Sequence, residues 1–407
     1  MNQLVSSGRA AGAKQGLIIQ LASSLTIMGS VMIAPMLPKI TMEFAAKDPG
    51  SVDIIPLIVA APALAIALFA PIAGVLADVL GRKRMLLIGC LLYALFGALP
   101  AVIADLKIIV LSRLLFGCAE AIIMTCCTTL IADYWAPADR MRYINRQVIT
   151  IGVVGALFFI IGGIAGEGSW RTPFFLYLAP LLIIPSVILW LWEPDRRAEE
   201  TSVPNRPQQK IASTVAGSYF LIFAGMVTCF VVTVQTPTVL VGLGVTSTSL
   251  IGAAAGLAIL CTLLGSVAWP FVRERIGVAR VNAFLLWFMA CGLFVLSLAQ
   301  SYPVVLVAMV LQGFGAGFLV SNASLPLLMK LPVGLRARGI GGFTSSLYLG
   351  QFASPLIVAV IATPFGGIPR GLSTAILIWG CMTAFIGLGW LLVSFSESRH
   401  HVQAHHS

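Results

Sequence analysis

Charged side chains are scarce in this sequence. They make up only 10% of its 407 residues, whereas 59% are of hydrophobic type. Water-soluble domains of this size do not show such a balance. Histidine is equally scarce, and the four copies lie in the polar stretch 400–406, which is typical of a solvated tail rather than a metal site. The composition therefore indicates a protein that folds within a lipid membrane.

Motifs of enzymes and ATP-driven pumps are also missing. The sequence has no Walker element, no recognisable nucleophile and base pair, and no cluster of metal ligands. Its eight cysteines all fall in apolar runs, where they behave as small hydrophobic residues. The net charge of +10 is spread over short clusters rather than one basic face, which argues against nucleic-acid binding. We expect no enzyme, no cofactor and no metal.

The sequence contains many long hydrophobic runs. About twenty apolar residues are needed for a helix to cross the bilayer, and such runs recur along the chain. They predict an all-α membrane protein of twelve transmembrane helices in two six-helix bundles, near 16–38, 54–77, 85–103, 107–131, 145–165, 173–192, 213–236, 248–271, 281–300, 303–329, 340–362 and 372–395. The domain boundaries follow as a bundle at 1–192, a polar linker at 193–212, a bundle at 213–396 and a tail at 397–407.

Lysine and arginine in the loops predict the orientation, because short cytoplasmic loops are enriched in them. Counted alternately, the loops on one side hold most of these residues. The other side holds only Lys39, Lys47, Lys107, Arg171 and Arg370. We expect both termini and the linker to be cytoplasmic, in a protein of the cell (inner) membrane.

The two halves repeat each other at one offset of 196 residues. Four pairs of identical residues share it: Gly81 with Gly277, Gly117 with Gly313, Arg140 with Arg336, and Arg142 with Arg338. A parallel repeat joined by a cytoplasmic linker predicts two similar bundles with a solute site between them near mid-depth.

The turn between the second and third spans carries the most specific motif, Gly74-Val-Leu-Ala-Asp78-Val-Leu-Gly81-Arg82-Lys83-Arg84. A positive turn on the cytoplasmic side requires neither the acid nor the glycine spacing. The motif closely resembles the G-x-L-A-D-x-x-G-R-K-R loop of the major facilitator superfamily. That resemblance covers essentially the whole chain and implies that Asp78, Arg82 and Arg84 form a conformational latch. From the residues themselves, we expect Gly74 to permit a close helix contact and Gly81 to allow a tight reversal, so both glycines belong to the predicted latch. The degenerate copy in the second half keeps its acid as Glu274.

The fourth span contains two charges, Arg113 and Glu120. A charge inside the bilayer is costly, so both are functional candidates, although a purely structural pair is the alternative. They are seven residues apart and so lie on one helical face, about 10 Å apart along the axis. Arg113 and Gly117 resemble the superfamily's R-x-x-x-G element, which implies a role in proton transfer. We expect Glu120 to carry the coupling proton.

Other polar residues could line a solute cavity, but each is more often a link between helices. The candidates are Thr228, Gln235, Gln312, Asn322, Thr344, Tyr348 and Gln351. The fifth span ends in Gly162-Gly163 and is followed by Trp170-Arg171, an exit similar to that of proton-coupled exporters of the superfamily. Phe158 and Phe159 stand where the exporters' Gly-Pro would be, so this motif is incomplete.

The main functional hypothesis is proton-coupled export of a small lipophilic or weakly polar organic molecule, a drug or secreted metabolite, by alternating access. A solute with several charges would need more than Arg113 and Glu120 to replace its hydration. The alternatives are an importer or uniporter of a small organic acid that pairs with Arg113, and a transporter-like receptor that moves nothing. We expect the partners to be the solute, protons and the lipid bilayer, and the protein to act as a monomer.

Overall fold

Most of the chain that the structure describes is helical. The computed structural model describes residues 11–47, 50, 54–194 and 209–404. The helices are α1 Ala13–Val31, α2 Leu37–Ala45, α3 Leu57–Leu80, α4 Arg82–Ala98, α5 Leu106–Tyr134, α6 Pro137–Ala165, α7 Pro180–Trp190, α8 Gln209–Gly242, α9 Thr248–Ile276, α10 Val278–Ser297, α11 Tyr302–Lys330, α12 Val333–Ala362 and α13 Leu372–Ala404. Short 3₁₀ turns lie at Ala34–Met36, Leu99–Ala101, Thr172–Leu178 and Thr363–Phe365.

Within the described residues, twelve spans are long and apolar enough to cross a membrane, as the sequence predicts. No strand occurs in the described ranges, and the predicted fold class is confirmed. Two spans are less regular than expected. The first is interrupted after Val31, where Pro35 and Pro38 cannot donate helical hydrogen bonds, and the sixth begins as the 3₁₀ turn Thr172–Leu178 before α7. At the other end α13 runs on to Ala404, into the predicted tail.

The chain divides into two compact units, Met1–Ser202 and Val203–Ser407. In the first unit α3 packs on α5, α1 on α6, and α4 on α5. In the second unit the helices 196 residues later pair in the same way, α9 with α11, α8 with α12, and α10 with α11. Most of the predicted linker, residues 195–208, lies outside the described residues.

The glycines shared by the two halves make the same contacts in each unit. A Cβ on Gly117 would lie 2.6 Å from the Cα of Pro62 and closer still to its carbonyl oxygen. A Cβ on Gly313 would lie 3.0 Å from the carbonyl carbon of Ala258, again closest to the oxygen. Because Ala258 follows Pro62 by the same 196 residues, the repeat includes the contact partner as well as the glycine. These contacts bring the backbones of α3 and α5, and of α9 and α11, together.

Candidate proton-coupling site

The site lies in the first unit, on the membrane-spanning part of α5. Arg113 is 0% exposed and Glu120 is 2% exposed, and among the described residues they are the only Lys, Arg, Asp or Glu side chains in the buried class. The α5 helix holds both on one face, as their seven-residue spacing predicts. Two charged-type side chains are therefore sealed inside the first unit, whose buried core is mostly apolar.

Backbone carbonyls of two neighbouring helices bind the Arg113 guanidinium. Its Nη2 donates to the carbonyl oxygen of Gly29 in α1, and its Nε donates to that of Ile58 in α3 at 3.2 Å. Gly29 is available because α1 ends at Val31, and the last carbonyls of a helix lack the amide four residues further on. The interruption of the first span thus creates the acceptor that Arg113 uses.

Aromatic rings surround the same guanidinium. Its carbon lies 4.1 Å from the ring centre of Phe116 and 5.1 Å from that of Tyr177, within the range of cation–π attraction. The Tyr177 hydroxyl donates to the Gly29 carbonyl at 2.9 Å, and the Tyr93 hydroxyl donates to Leu25 of α1 at 2.6 Å. Phe116 and Tyr177 therefore stabilise the cation, and Tyr93 and Tyr177 hold the backbone of α1.

Glu120 touches the same glycine from the other side. A Cβ on Gly29 would lie 2.6 Å from the carboxyl carbon of Glu120, so glycine leaves the space that the carboxyl group occupies. Although Glu120 and Arg113 both contact Gly29, the described side chains form no ion pair between them within 4.0 Å. Oε1 of Glu120 and Nη1 of Arg113 are both buried without a hydrogen-bond partner. A buried polar atom without a hydrogen-bond partner is costly, so both atoms are candidates for a change of partner.

A cluster of charges encloses the turn between α3 and α4. Arg82 pairs with Asp78 at 3.1 Å and also with Asp133, near the end of α5. The carboxylate of Glu193, just after α7, accepts the backbone amides of Arg82 at 2.5 Å and Lys83 at 3.1 Å. We call Asp78, Arg82, Asp133 and Glu193 the turn cluster. It joins three segments of the first unit at the amino end of α4, where negative charge is favoured.

The other predicted latch residues differ in what they contact. Gly81 has φ +97°, and Gly277 repeats this left-handed conformation with φ +80°. Arg84 is exposed and, among the described residues, has no recorded ion pair or hydrogen bond; the same holds for Glu274. A Cβ on Gly74 would meet its nearest neighbour, Thr125, only at an ordinary 3.9 Å. The close helix contact expected at Gly74 is absent, because the tight approach of α3 to α5 occurs at Gly117 instead.

The predicted cavity residues of the second unit fall into two groups. Asn322 bridges Trp269, Asn282 and the Val278 carbonyl, and Thr228 contacts Trp379 and Thr383, so both link helices. Gln235 and Gln312 are buried, and each has a side-chain nitrogen without a partner. Thr344, Tyr348 and Gln351 lie together on α12 and are partly exposed. The described part of the chain contains no cluster of three potential metal ligands.

Sequence comparison assigns the family. The profile of the Major Facilitator Superfamily matches residues 19–243, more than half of the chain and the whole of the described site. This chain belongs to the major facilitator superfamily. It is accordingly a multi-pass membrane transporter and not an enzyme, and the resistance proteins among its relatives support its resemblance to the drug/proton antiporter branch.

Individual superfamily relatives differ in how much of the chain they match. The sialic acid transporter NanX of Escherichia coli is 25% identical over 79% of this chain and 80% of its own length. The quinolone resistance protein NorA of Staphylococcus aureus is 30% identical over 43% of the chain. The class H tetracycline resistance protein of Pasteurella multocida is 29% identical over 51%. The chain spans about half the length of these two resistance proteins.

Solved superfamily structures share the fold. A bacterial homologue of the human lysosomal transporter Spinster aligns over 94% of this chain and 96% of its own with a TM-score of 0.78, at 14% identity. A D-xylose–proton symporter aligns over 93% of this chain and 96% of its own with a TM-score of 0.73, at 16% identity. At such identities the likeness concerns the fold.

Sequence reasoning missed several residues that the superfamily fold brings together. Tyr93 and Tyr177 reach the site from α4 and the 3₁₀ turn before α7, and Asp133 and Glu193 complete the turn cluster. Glu43 of α2 is a further case: it accepts two hydrogen bonds from Arg171, at 2.9 and 3.0 Å, and one from Trp170 at 2.6 Å. The adjacent Trp170-Arg171 pair was visible in the sequence, but nothing local identifies Glu43 as its partner.

Proposed function

We propose that this transporter exports a small lipophilic or weakly polar organic molecule in exchange for protons, and that Glu120 carries the proton. The observation that supports this most is the buried Glu120 carboxyl group, whose Oε1 has no hydrogen-bond partner and which lies on the same helical face as the buried Arg113. Such a group changes its preferred protonation state when its surroundings open to water or when a charge moves near it.

The sealing of the site supports proton transfer rather than direct solute binding there. Arg113 and Glu120 are almost completely covered by helices, and the Glu120 carboxyl group and the Phe116 ring fill the space beside Gly29. A single proton can bind a carboxyl group in a space that admits no solute. Coupling then requires that the protonation of Glu120 favours one conformation of the transporter over the other.

The proposed chemistry of the solute follows from the scarcity of buried charge. With both buried charges sealed in one site, no further described charge is buried to replace the hydration of a highly charged solute. The resistance proteins among the relatives agree with export of such compounds, although they match only about half of the chain.

A small organic acid is the second candidate, and a different observation favours it. NanX, named as a sialic acid transporter, matches about four fifths of both chains. Arg113 also retains one nitrogen without a partner. If the site opened, this nitrogen could bind a carboxylate, as positively charged side chains commonly do.

Transport by purified protein in proteoliposomes tests the function. A panel of lipophilic drugs, neutral metabolites and monocarboxylates should be offered with and without a pH gradient, while a dye reports internal pH. We expect a lipophilic compound to move protons in the opposite direction, and Glu120→Gln to abolish proton movement while substrate binding remains. Asp139→Asn, which removes an exposed acid of α6, is the matched control and should behave like wild type.

The outcomes of this assay separate the candidates. Wild-type proton movement in Glu120→Gln would place the coupling site elsewhere. Monocarboxylate and proton movement in the same direction would favour the organic-acid transporter. Binding without transport of any compound would favour a receptor.

We also propose that both termini and the linker are cytoplasmic and that the transporter is a monomer in the cell (inner) membrane. In a background without the eight native cysteines, Ser301→Cys before α11 should react with an impermeant thiol reagent from outside intact cells. Arg275→Cys at the end of α9 should react only after permeabilisation. Both side chains are exposed. The reverse labelling would overturn the orientation, and a dimer mass in detergent by light scattering would overturn the monomer.

A further inference from the structure

The end of α1 is held by two side chains that share one acceptor. Arg113 and Tyr177 both donate to the Gly29 carbonyl, and the Tyr177 hydroxyl also lies 3.2 Å from that of Met28. Arg113 is further anchored through Nε to Ile58. The Gly29 carbonyl therefore keeps a donor even when one of the two leaves.

The geometry of Arg113 allows a simple exchange of partners. Its guanidinium is a rigid planar fork, so a rotation that brings the free Nη1 toward Glu120 must also move Nη2 away from Gly29. Glu120 is already in place, since its carboxyl group occupies the space of the missing Gly29 side chain. In the described structure, Nη1 of Arg113 and Oε1 of Glu120 have no hydrogen-bond partner.

On this basis we propose that Arg113 switches between the Gly29 carbonyl and Glu120, and that Tyr177 is the positioning residue that makes the switch possible. With Glu120 neutral, Arg113 stays on Gly29, as in this structure. When Glu120 releases its proton, the carboxylate attracts the guanidinium, and Tyr177 alone satisfies the Gly29 carbonyl. The proton thereby controls how firmly the interrupted end of α1 is attached to α5. This inference rests on the proposed role of Glu120 as the proton carrier.

Among the described residues, few charged or titratable side chains lie near Glu120. They are Arg113 on its own helix, Tyr93 from α4 and Tyr177 from the 3₁₀ turn, with the Gly29 backbone from α1. The two tyrosines offer a matched comparison, because both are buried and both bind a carbonyl of α1. They differ in that Tyr177 shares its acceptor with Arg113, whereas the bond from Tyr93 goes to Leu25, one turn earlier.

The test compares Tyr177→Phe with Tyr93→Phe in the pH profile of transport. A limb is a rising or falling part of the plot of transport rate against pH. The limb to follow is the one that Glu120→Gln removes. Without the Tyr177 hydroxyl, the departure of Arg113 leaves a buried carbonyl without a donor, so the ionised state of Glu120 becomes more costly. We expect Tyr177→Phe to move that limb to higher pH by about one unit, from the cost of one unsatisfied buried group. Tyr93→Phe should leave it in place.

A second variant tests the opposite direction. Arg113→Lys keeps the charge but loses the fork, so the cation can no longer bind two carbonyls at fixed angles and is free to pair with Glu120. We expect it to move the same limb to lower pH.

Three results decide between the proposals. If Tyr177→Phe leaves the limb in place, or if both tyrosine variants move it equally, the switch is wrong although Glu120 can still carry the proton. If Arg113→Lys moves the limb to higher pH, the switch is also wrong. If Glu120→Gln removes no limb, Glu120 does not carry the proton, and this part of the proposed function fails together with the switch.

Discussion

Arg82→Gln should lower the turnover of transport roughly 10-fold, the size of a typical coupling between two conformations, while Arg84→Gln leaves it near the wild-type rate. Both substitutions remove one cation from the same turn. Arg82 pairs with Asp78 and Asp133, whereas Arg84 is exposed without a recorded partner among the described residues. Without Arg82 the two carboxylates lose the cation they share, and the turn no longer joins α3 to α5.

The pair of variants separates a latch from a topology signal. The positive-inside rule counts cations near the ends of spans, so it predicts the same effect for both substitutions. Initial rates in proteoliposomes, normalised to the amount of inserted protein, provide the measurement. Equal losses in the two variants would reduce the motif to an orientation signal. Asp78→Asn should also lower turnover, because the acid of the motif can no longer pair with Arg82.

Gly117→Ala should destabilise the first unit strongly, whereas Gly74→Ala should have little effect. The added methyl group at position 117 meets the backbone of Pro62, which cannot rotate away as a side chain could. At position 74 the nearest atom is 3.9 Å away, an ordinary contact. Overpacking of this kind costs about 1–3 kcal/mol, which corresponds to a thermal shift of roughly 3–10 °C for a unit of this size.

Thermal unfolding in detergent, followed by tryptophan fluorescence, measures this difference. Gly313→Ala should behave like Gly117→Ala, because the repeat reproduces the contact with Ala258 in the second unit. Equal thermal stability of Gly117→Ala and Gly74→Ala would show that α3 and α5 can separate at no cost. That result would contradict the tight contact at Pro62.

The candidate site could be predicted in part because its two charges are conspicuous. A charge in a long apolar run is visible without any knowledge of the fold, which is why Arg113 and Glu120 were identified. The partners of these two side chains could not be identified in this way. The Gly29 carbonyl is available only because α1 ends early, and Tyr177 is an ordinary aromatic residue in its own segment.

The turn cluster likewise contains residues that a local motif identifies and residues that only the fold brings to it. The motif from Gly74 to Arg84 is continuous in the sequence, so its acid and cations could be recognised together. Asp133 is 51 residues beyond Arg82, and Glu193 is 111 residues beyond it. Neither belongs to a local pattern, and Glu193 looked like part of a solvated linker.

The membrane environment, the number of spans, the repeat and the family motifs could all be predicted from the amino-acid sequence, because each is a property of composition or of neighbouring residues. The folded chain was needed to show that Arg113 is bound by carbonyls rather than by Glu120, that Gly117 and not Gly74 is the tight contact, and which acids complete the turn cluster. These depend on where helices end and how closely their backbones approach. Packing between residues distant in the chain sets both, and no local pattern encodes it.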